Sequence, residues 1–270
     1  MPDRRNAIRY DEQAESFGRR AGLPEQSSRD VAFKVIELAQ LRPDDLLLDV
    51  GAGTGEIGLE LARQLPRYVG LDLSGPMLGV FRHRLEAARV NAVLLVADAD
   101  APWPLPNASV RAIFGSRSLH LLSTDRLTGE AFRVAGHRGA LLIIGRIRRD
   151  PNSVNARMRK EMHRHLEERG GGDRDGQNRS QRLIEALIAR GATAFDPVVA
   201  ARWTTMHSPA DSLRSWKSKP GLGGTDLPDS QKNEILSDLE KWAKQVYRNL
   251  ETSFQSTEQY LLEGVRIPAA

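Results

Sequence analysis

Between residues 30 and 190, short apolar runs alternate with segments whose apolar residues recur at helical spacing. The runs predict strands at 46–50, 67–72, 92–96, 110–115 and 140–147, with helices at 31–40, 55–65, 76–88 and 124–135. In the first helix Val31, Val35, Leu38 and Ala39 share one face. Such alternation argues for a mostly parallel sheet with helices on both faces. Short, wholly apolar strands are what a sheet covered on both sides requires.

The pattern then changes. Residues 152–169 place Val154, Met158, Met162 and Leu166 on a narrow helical stripe among many charges, and the stretch ends at Gly170-Gly171-Gly172. A helix at 179–190 and a strand at 194–206 follow, and then a Pro-, Gly- and Ser-rich stretch at 208–230. Residues 233–250 form an amphipathic helix carrying Ile235, Leu239, Trp242, Val246 and Leu250. The expected organisation is a single α/β domain over 1–270. It has an N-terminal arm (1–30), a core (30–206), a helical lid insertion (208–252) and a last strand (254–267).

With 270 residues, 40% of them hydrophobic and 27% charged, the chain can bury a sizeable core. It has no cysteine, which removes disulfides, thiolate metal sites and cysteine nucleophiles together and fits a reducing cytoplasm. The first residues, MPDRRNAIRYDEQAESF, lack the apolar stretch of a secretory signal, and no run is long enough to span a bilayer. A soluble, cytoplasmic protein is expected. The net charge is +4. More informative than that total is a cluster of Arg146, Arg148, Arg149, Arg157, Arg159, Lys160 and Arg164. It is either a solvated helix face or an attractor for an acidic substrate or nucleic acid.

The densest chemistry lies in LLLDVGAGTGEIGLELA, residues 46–62. A buried strand, a glycine turn and a helix N-terminus in this order bring backbone N–H groups close to a nucleotide-like ligand. Gly53-Thr54-Gly55-Glu56-Ile57-Gly58 is formally G-x-G-x-x-G, the dinucleotide fingerprint. The register differs from that fingerprint, because Asp49 stands two residues before Gly51 and gives D-x-G-x-G-x-G.

This register resembles motif I of the class I S-adenosylmethionine-dependent methyltransferases, and further segments match that family in order. The resemblance, to the ubiquinone/menaquinone-biosynthesis type, covers about residues 30–147. It implies a Rossmann-like, seven-stranded, mostly parallel sheet with an antiparallel last strand. It also implies S-adenosylmethionine as cofactor, held by Asp49, Gly51, Ala52, Gly53, Thr54 and Gly55 around its amino-acid end. Asp72, at the carboxyl end of the second strand, would accept from the ribose hydroxyls, with Leu73 and Met77 as apolar contacts. Asp98 and Ala99 would meet the adenine, and Ser116, in Gly115-Ser-Arg-Ser-Leu-His, would lie under the cofactor. Two departures stand out. Arg111 replaces a common Asp, and Ala135-Gly136-His137-Arg138 replaces a Pro-Gly-Gly turn.

Methyl transfer from a sulfonium asks the protein to align the nucleophile, exclude water and, for a hydroxyl, remove a proton. His120, after the fourth strand, is the candidate base or orienting group, the alternative being a structural histidine bonded to a backbone carbonyl. Tyr10 is a second catalytic candidate, and Phe17, Arg146 and Trp203 are candidates for lining the acceptor pocket. No metal site is expected, since His163 and His165 point in different directions on one helix. The expected partner is a small-molecule acceptor methylated on oxygen, carbon or nitrogen. The alternatives are an RNA or protein methyltransferase using the 146–164 cluster, or a non-catalytic cofactor-binding protein on the same fold.

Overall fold

The computed structural model describes residues 22–171, 179–219, 221–223 and 225–269. Tyr10 and Phe17 lie outside these residues. The described residues form seven strands: β1 (Leu47–Val50), β2 (Tyr68–Asp72), β3 (Val93–Val96), β4 (Ala112–Ser116), β5 (Ala140–Arg149), β6 (Thr193–His207) and β7 (Phe254–Ile267). They form one sheet in the order β3-β2-β1-β4-β5-β7-β6.

The pairs β1–β2, β1–β4, β2–β3 and β4–β5 are parallel. The seventh strand runs the other way. Gly139 backs onto Ile267, Gly264 onto Leu142, and Gly145 onto Tyr260, so positions fall along β7 as they rise along β5. The chain leaves β1 in one direction toward β3 and returns in the other through β4 and β5. That reversal makes the gap between β1 and β4 a topological switch point, where such sheets bind ligands beyond the strands' carboxyl ends.

Four helices link the first five strands or precede them: α1 (Glu25–Ala39), α2 (Gly58–Gln64), α3 (Gly75–Ala88) and α4 (Thr124–Ala135). Helix α3 starts where its sequence predicts. Ser74 accepts from the Met77 N–H at 3.2 Å, and Pro76 occupies the first turn, where no N–H is needed. Further α-helices among the described residues are α5 (Val154–Glu168), α6 (Arg179–Ala189), α7 (Pro209–Lys217) and α8 (Asp229–Val246).

The chain divides into two compact units. Of the described residues, the first comprises 22–147, 179–201 and 260–269, and the second 148–171 and those within 202–259. Each has its own apolar core. In the first, Leu48, Val50, Leu71, Ile113 and Leu142 of the strands pack with Leu127 and Val134 of α4 and Leu183 and Leu187 of α6. In the second, the stripe Val154, Met158, Met162 and Leu166 packs against Ile235, Leu239 and Ala243 of α8.

Three expectations change. Helix α5, expected within the 30–206 stretch, packs its stripe with α8, with Leu213 and Trp216 of α7 and with Leu222, and lies in the second unit. The Pro/Gly/Ser-rich stretch contains helix α7, nucleated by a capping box in which Ser208 and Asp211 satisfy each other's backbone N–H groups. Helix α8 begins after Pro228 and stops at Val246, earlier than the 233–250 of the apolar pattern, where Tyr247 turns extended (φ −117°, ψ 115°). Not every strand is covered on both faces either. Val93 and Val96 are exposed, since β3 is the sheet edge.

Candidate active site

The turn after β1 is held by the sheet itself. Gly51 and Ala52 N–H donate to the Leu71 carbonyl at 2.8 and 3.0 Å, and Gly55 N–H closes the loop on the Ala52 carbonyl at 3.0 Å. Gly51, Gly53 and Gly55 all take positive φ (77°, 55° and 72°). Their necessity differs. A Cβ on Gly51 would lie 2.3 Å from Ser118 Cβ, and one on Gly55 would lie 2.1 Å from the Phe81 ring. These two glycines answer to the protein's own packing as well as to backbone conformation. At Gly53 nothing lies within 4 Å, so that flank of the turn is open.

Asp72 is oriented from two sides. Its Oδ2 accepts from Gly53 N–H and its Oδ1 from Ser74 N–H, both at 2.8 Å. The carboxylate therefore ties the glycine turn to the start of α3 and sits at the carboxyl end of β2, where the sequence places it. Leu73 beside it is exposed and Met77 is buried.

Asp49 is fully enclosed, and its Oδ2 accepts from the Tyr68 hydroxyl at 2.7 Å. Its Oδ1 is buried with no hydrogen-bond partner among the described residues. Burial pushes the Asp49 carboxyl up to about 7; the Tyr68 bond opposes the rise and the charge of Asp72 adds to it.

Along the same edge, Ala97 N–H donates to the Asp72 carbonyl, and Asp98 Oδ1 accepts from Asp100 N–H at 2.9 Å in a tight turn. Ala99 is buried, and its carbonyl accepts from Trp103 Nε1 at 3.0 Å. The loop Pro102–Pro106 is clamped from α4. Glu130 accepts from Trp103 N–H, and Arg133 donates to the Trp103 and Leu105 carbonyls at 2.9 and 2.7 Å.

After β4 the Ser116 and Tyr260 hydroxyls share a hydrogen bond of 2.5 Å, and Ser118 Oγ donates to the Val50 carbonyl at 2.5 Å. Arg117 is left-handed (φ 58°), an uncommon conformation for a residue with a side chain, and its guanidinium pairs with Glu56. His120 is half-buried on the turn that follows. Its carbonyl accepts from Arg179, while its ring makes no hydrogen bond among the described residues. Burial, with help from the Arg179 charge, lowers its pKa, so the imidazole is neutral at neutral pH.

Of the other candidates, Arg146 is engaged by Glu263 through two hydrogen bonds at 2.9 and 3.2 Å within the first unit. Trp203, on β6, is half-buried and belongs to the second unit. At the opposite, amino edge of the sheet an open polar groove is lined by Gln40, Arg42, Asp44, Asp45, Arg111, His137 and Arg138. Here Arg111 donates to the Arg138 and Gly139 carbonyls, tying down the turn that lacks Pro-Gly-Gly. That groove is remote from the switch point.

Sequence reasoning missed Tyr68, Glu56, Arg117 and Ser118. Their partners lie 19, 61, 61 and 68 positions away along the chain, so no local pattern announces them.

Comparisons with known proteins agree with this geometry. Residues 47–139 match the family described as a methyltransferase domain. The match covers about a third of the chain and holds the glycine turn, Asp72 and the segments after β3 and β4. The chain is 31% identical over 116 residues to the demethylmenaquinone methyltransferase of Thermus thermophilus, a match covering 41% of this chain and 51% of that one. It thus spans about half the length of that relative. It is 25% identical over 233 residues to the malonyl-[acyl-carrier protein] O-methyltransferase of Serratia marcescens, covering 83% and 82% of the two chains. A solved structure from Bacillus halodurans shares the methyltransferase domain's fold, with a TM-score of 0.56 at 16% identity over 88% of this chain and 98% of that one.

Proposed function

We propose that the chain transfers the methyl group of S-adenosylmethionine to an oxygen, carbon or nitrogen of a small-molecule acceptor by in-line displacement. The observation that carries this reading is the doubly anchored Asp72 carboxylate beside the glycine turn, at the carboxyl end of β2. Two further features fit such a cofactor. Asp49 Oδ1 is an acceptor lacking a donor, as an ammonium group requires, and the open flank at Gly53 gives a ligand room that a side chain would fill.

In this reading Asp49 and the backbone of Gly51, Ala52, Gly53, Thr54 and Gly55 hold the amino-acid end. Asp72 takes the ribose hydroxyls, with Leu73 and Met77 beside them. Asp98 and Ala99 meet the adenine, and Ser116 lies beneath. When bound, the cofactor supplies an activated methyl group and a neutral leaving group. The protein then orients the acceptor and excludes water. The neutral imidazole of His120 takes the proton where the acceptor is a hydroxyl. Tyr10 of the N-terminal arm is proposed as a second catalytic group, and Phe17 and Arg146 are proposed to border the acceptor. The reaction is placed in the cytoplasm, in keeping with the absence of cysteine; among the described residues no helix is long and apolar enough to cross a membrane.

The basic cluster gives little support to a nucleic-acid substrate. Arg146, Arg149 and Arg164 pair with Glu263, Glu258 and Glu161, Arg148 bonds Gln259, and Arg157 stacks on the Tyr247 ring. The test is incubation with methyl-labelled S-adenosylmethionine and a metabolite extract, with and without nuclease and protease treatment. Label in nuclease- and protease-resistant small molecules is expected. Label lost on nuclease or protease treatment would assign a macromolecular acceptor, and cofactor binding without transfer would leave a non-catalytic protein.

A further inference from the structure

Tyr68, on β2, is buried with its hydroxyl in a space that two glycines keep open. A Cβ on Gly58, at the start of α2, would lie 2.3 Å from that hydroxyl. Gly70 pairs in register with Asp49, and a Cβ there would come within 3.3 Å of the Tyr68 ring and closer still to Leu94 and Ala52. Neither glycine has a positive φ, so packing rather than backbone conformation asks for them. Phe81 of α3 meets the Tyr68 ring edge-on, with centroids 6.0 Å apart. The same Phe81 ring excludes a side chain at Gly55, so the aromatic pair joins the glycine turn to the hydroxyl.

Among the described residues that hydroxyl has one partner, Asp49 Oδ2 at 2.7 Å. Burial and the neighbouring aspartates keep the phenol protonated, so Tyr68 is the donor. A bond present for stability alone would be matched by a second donor on so enclosed a carboxylate. Asp49 lacks one: its Oδ1 is buried with no partner among the described residues. Asp72, on the same strand as Tyr68, adds a like charge rather than a compensating one. An enclosed, half-satisfied carboxylate is unfavourable for the protein alone and becomes favourable beside a cation.

We propose that Tyr68 is a positioning residue for the cofactor: by holding Oδ2 it fixes the Asp49 carboxylate and leaves Oδ1, with the negative charge, for the cationic amino group of S-adenosylmethionine. The proposal rests on the methyltransferase reading above and adds the residue that sets Asp49 for its task. Asp49, Gly58, Tyr68 and Phe81 all lie in the first unit. Losing the hydroxyl costs recognition twice. The carboxylate is free to turn, and it also ionises less readily, because the Tyr68 bond is what favours its charged form. The other titratable groups in range do not compensate. Asp72 on β2 opposes ionisation, and Tyr260 on β7 is kept neutral by burial.

The experiment is calorimetry of the full chain, comparing wild type with Tyr68→Phe, Asp49→Asn and the double variant. S-adenosylmethionine and S-adenosylhomocysteine both carry the amino-acid end, the second without the sulfonium charge; methylthioadenosine carries the nucleoside and thioether alone. At neutral pH Tyr68→Phe should weaken the first two by roughly tenfold and methylthioadenosine by less than about twofold. In the Asp49→Asn background the same change should add less than about twofold, because Tyr68 acts through Asp49. Raising the pH from about 7 to about 8.5 should shrink the ratio of wild-type to Tyr68→Phe affinity, since Asp49 then ionises in both. The ligand's own amino group titrates alike in both and cancels from that ratio. Gly58→Ala displaces the hydroxyl by crowding it and should give the same split between ligands, which keeps the test available if Tyr68→Phe does not fold.

Equal weakening of all three ligands, a loss confined to S-adenosylmethionine, full additivity in the double variant, or a ratio constant with pH would each overturn the proposal. Wild-type affinity in Tyr68→Phe would remove the role of Tyr68 and leave the cofactor reading standing. If the wild type binds none of the three ligands, the methyltransferase reading falls and this proposal falls with it.

Discussion

At the scale of single residues, Asp49 makes the sharpest demand. Its folded pKa of about 7 stands above the carboxylate's unfolded value near 3.8. Between those two values the folded state binds more protons than the unfolded chain, so stability from this group is present below pH 4 and is lost as pH rises toward 7. In the cofactor-free protein, Asp49→Asn should flatten the fall of unfolding free energy across this window, read from denaturant melts at several pH values. An unchanged slope would show that Asp49 is ionised throughout. The glycines give a graded test. Gly55→Ala meets the Phe81 ring and a positive φ together and should destabilise by about 3 kcal/mol, against about 1 kcal/mol for Gly53→Ala, where only the backbone objects. Equal melting temperatures for the two variants would contradict this. Asp49, Asp72 and the glycines are legible in the sequence because strand, turn and helix are contiguous there. Tyr68 and the pair of Glu56 and Arg117 were not, because their roles exist only once parallel strands bring distant residues to one edge.

At the scale of elements, the apolar periodicity locates the strands and α-helices of residues 30–147 but not the short 3-10 turns Leu119–Leu121 and Gly136–Arg138, which are too short to carry a period. Ends were less legible where a cap rather than a pattern decides them, as with Ser208 and Asp211 starting α7. The clamp from α4 onto the loop at 102–106 was also hidden, although Pro102-Trp-Pro-Leu-Pro106 looked unusual. Arg133 holds that loop through two carbonyls, and Glu130 holds Arg133 and Trp103 N–H. Arg133→Met leaves those part-buried carbonyls unpaired and should lower stability by roughly 1–3 kcal/mol. The adenine-side loop should loosen with it, read as weaker S-adenosylmethionine binding. A variant with wild-type melting and affinity would mean that the loop stands without the clamp.

At the scale of the whole molecule, the described residues hold two apolar cores. In the second, the α5 stripe of Val154, Met158, Met162 and Leu166 is covered by α8 together with Leu213 and Trp216 of α7 and Leu222. Periodicity announced the helix but not its partner, because a stripe states that a face is buried and not against what. The division separates the functions. Leu239→Ala opens a cavity in the second core and should cost that unit about 2–5 kcal/mol, while cofactor affinity, which rests on the first unit, stays near wild type. Loss of cofactor binding in a folded Leu239→Ala protein would refute that separation. The central claim is that the glycine turn and Asp72 together hold S-adenosylmethionine, and calorimetry of wild type against Asp72→Ala tests it most directly. The wild type should bind the cofactor, and the variant, whose fold is checked by circular dichroism, should lose affinity by a hundredfold or more, on the order of 3 kcal/mol for a doubly used charged acceptor. Unchanged affinity in a folded Asp72→Ala protein would contradict the account.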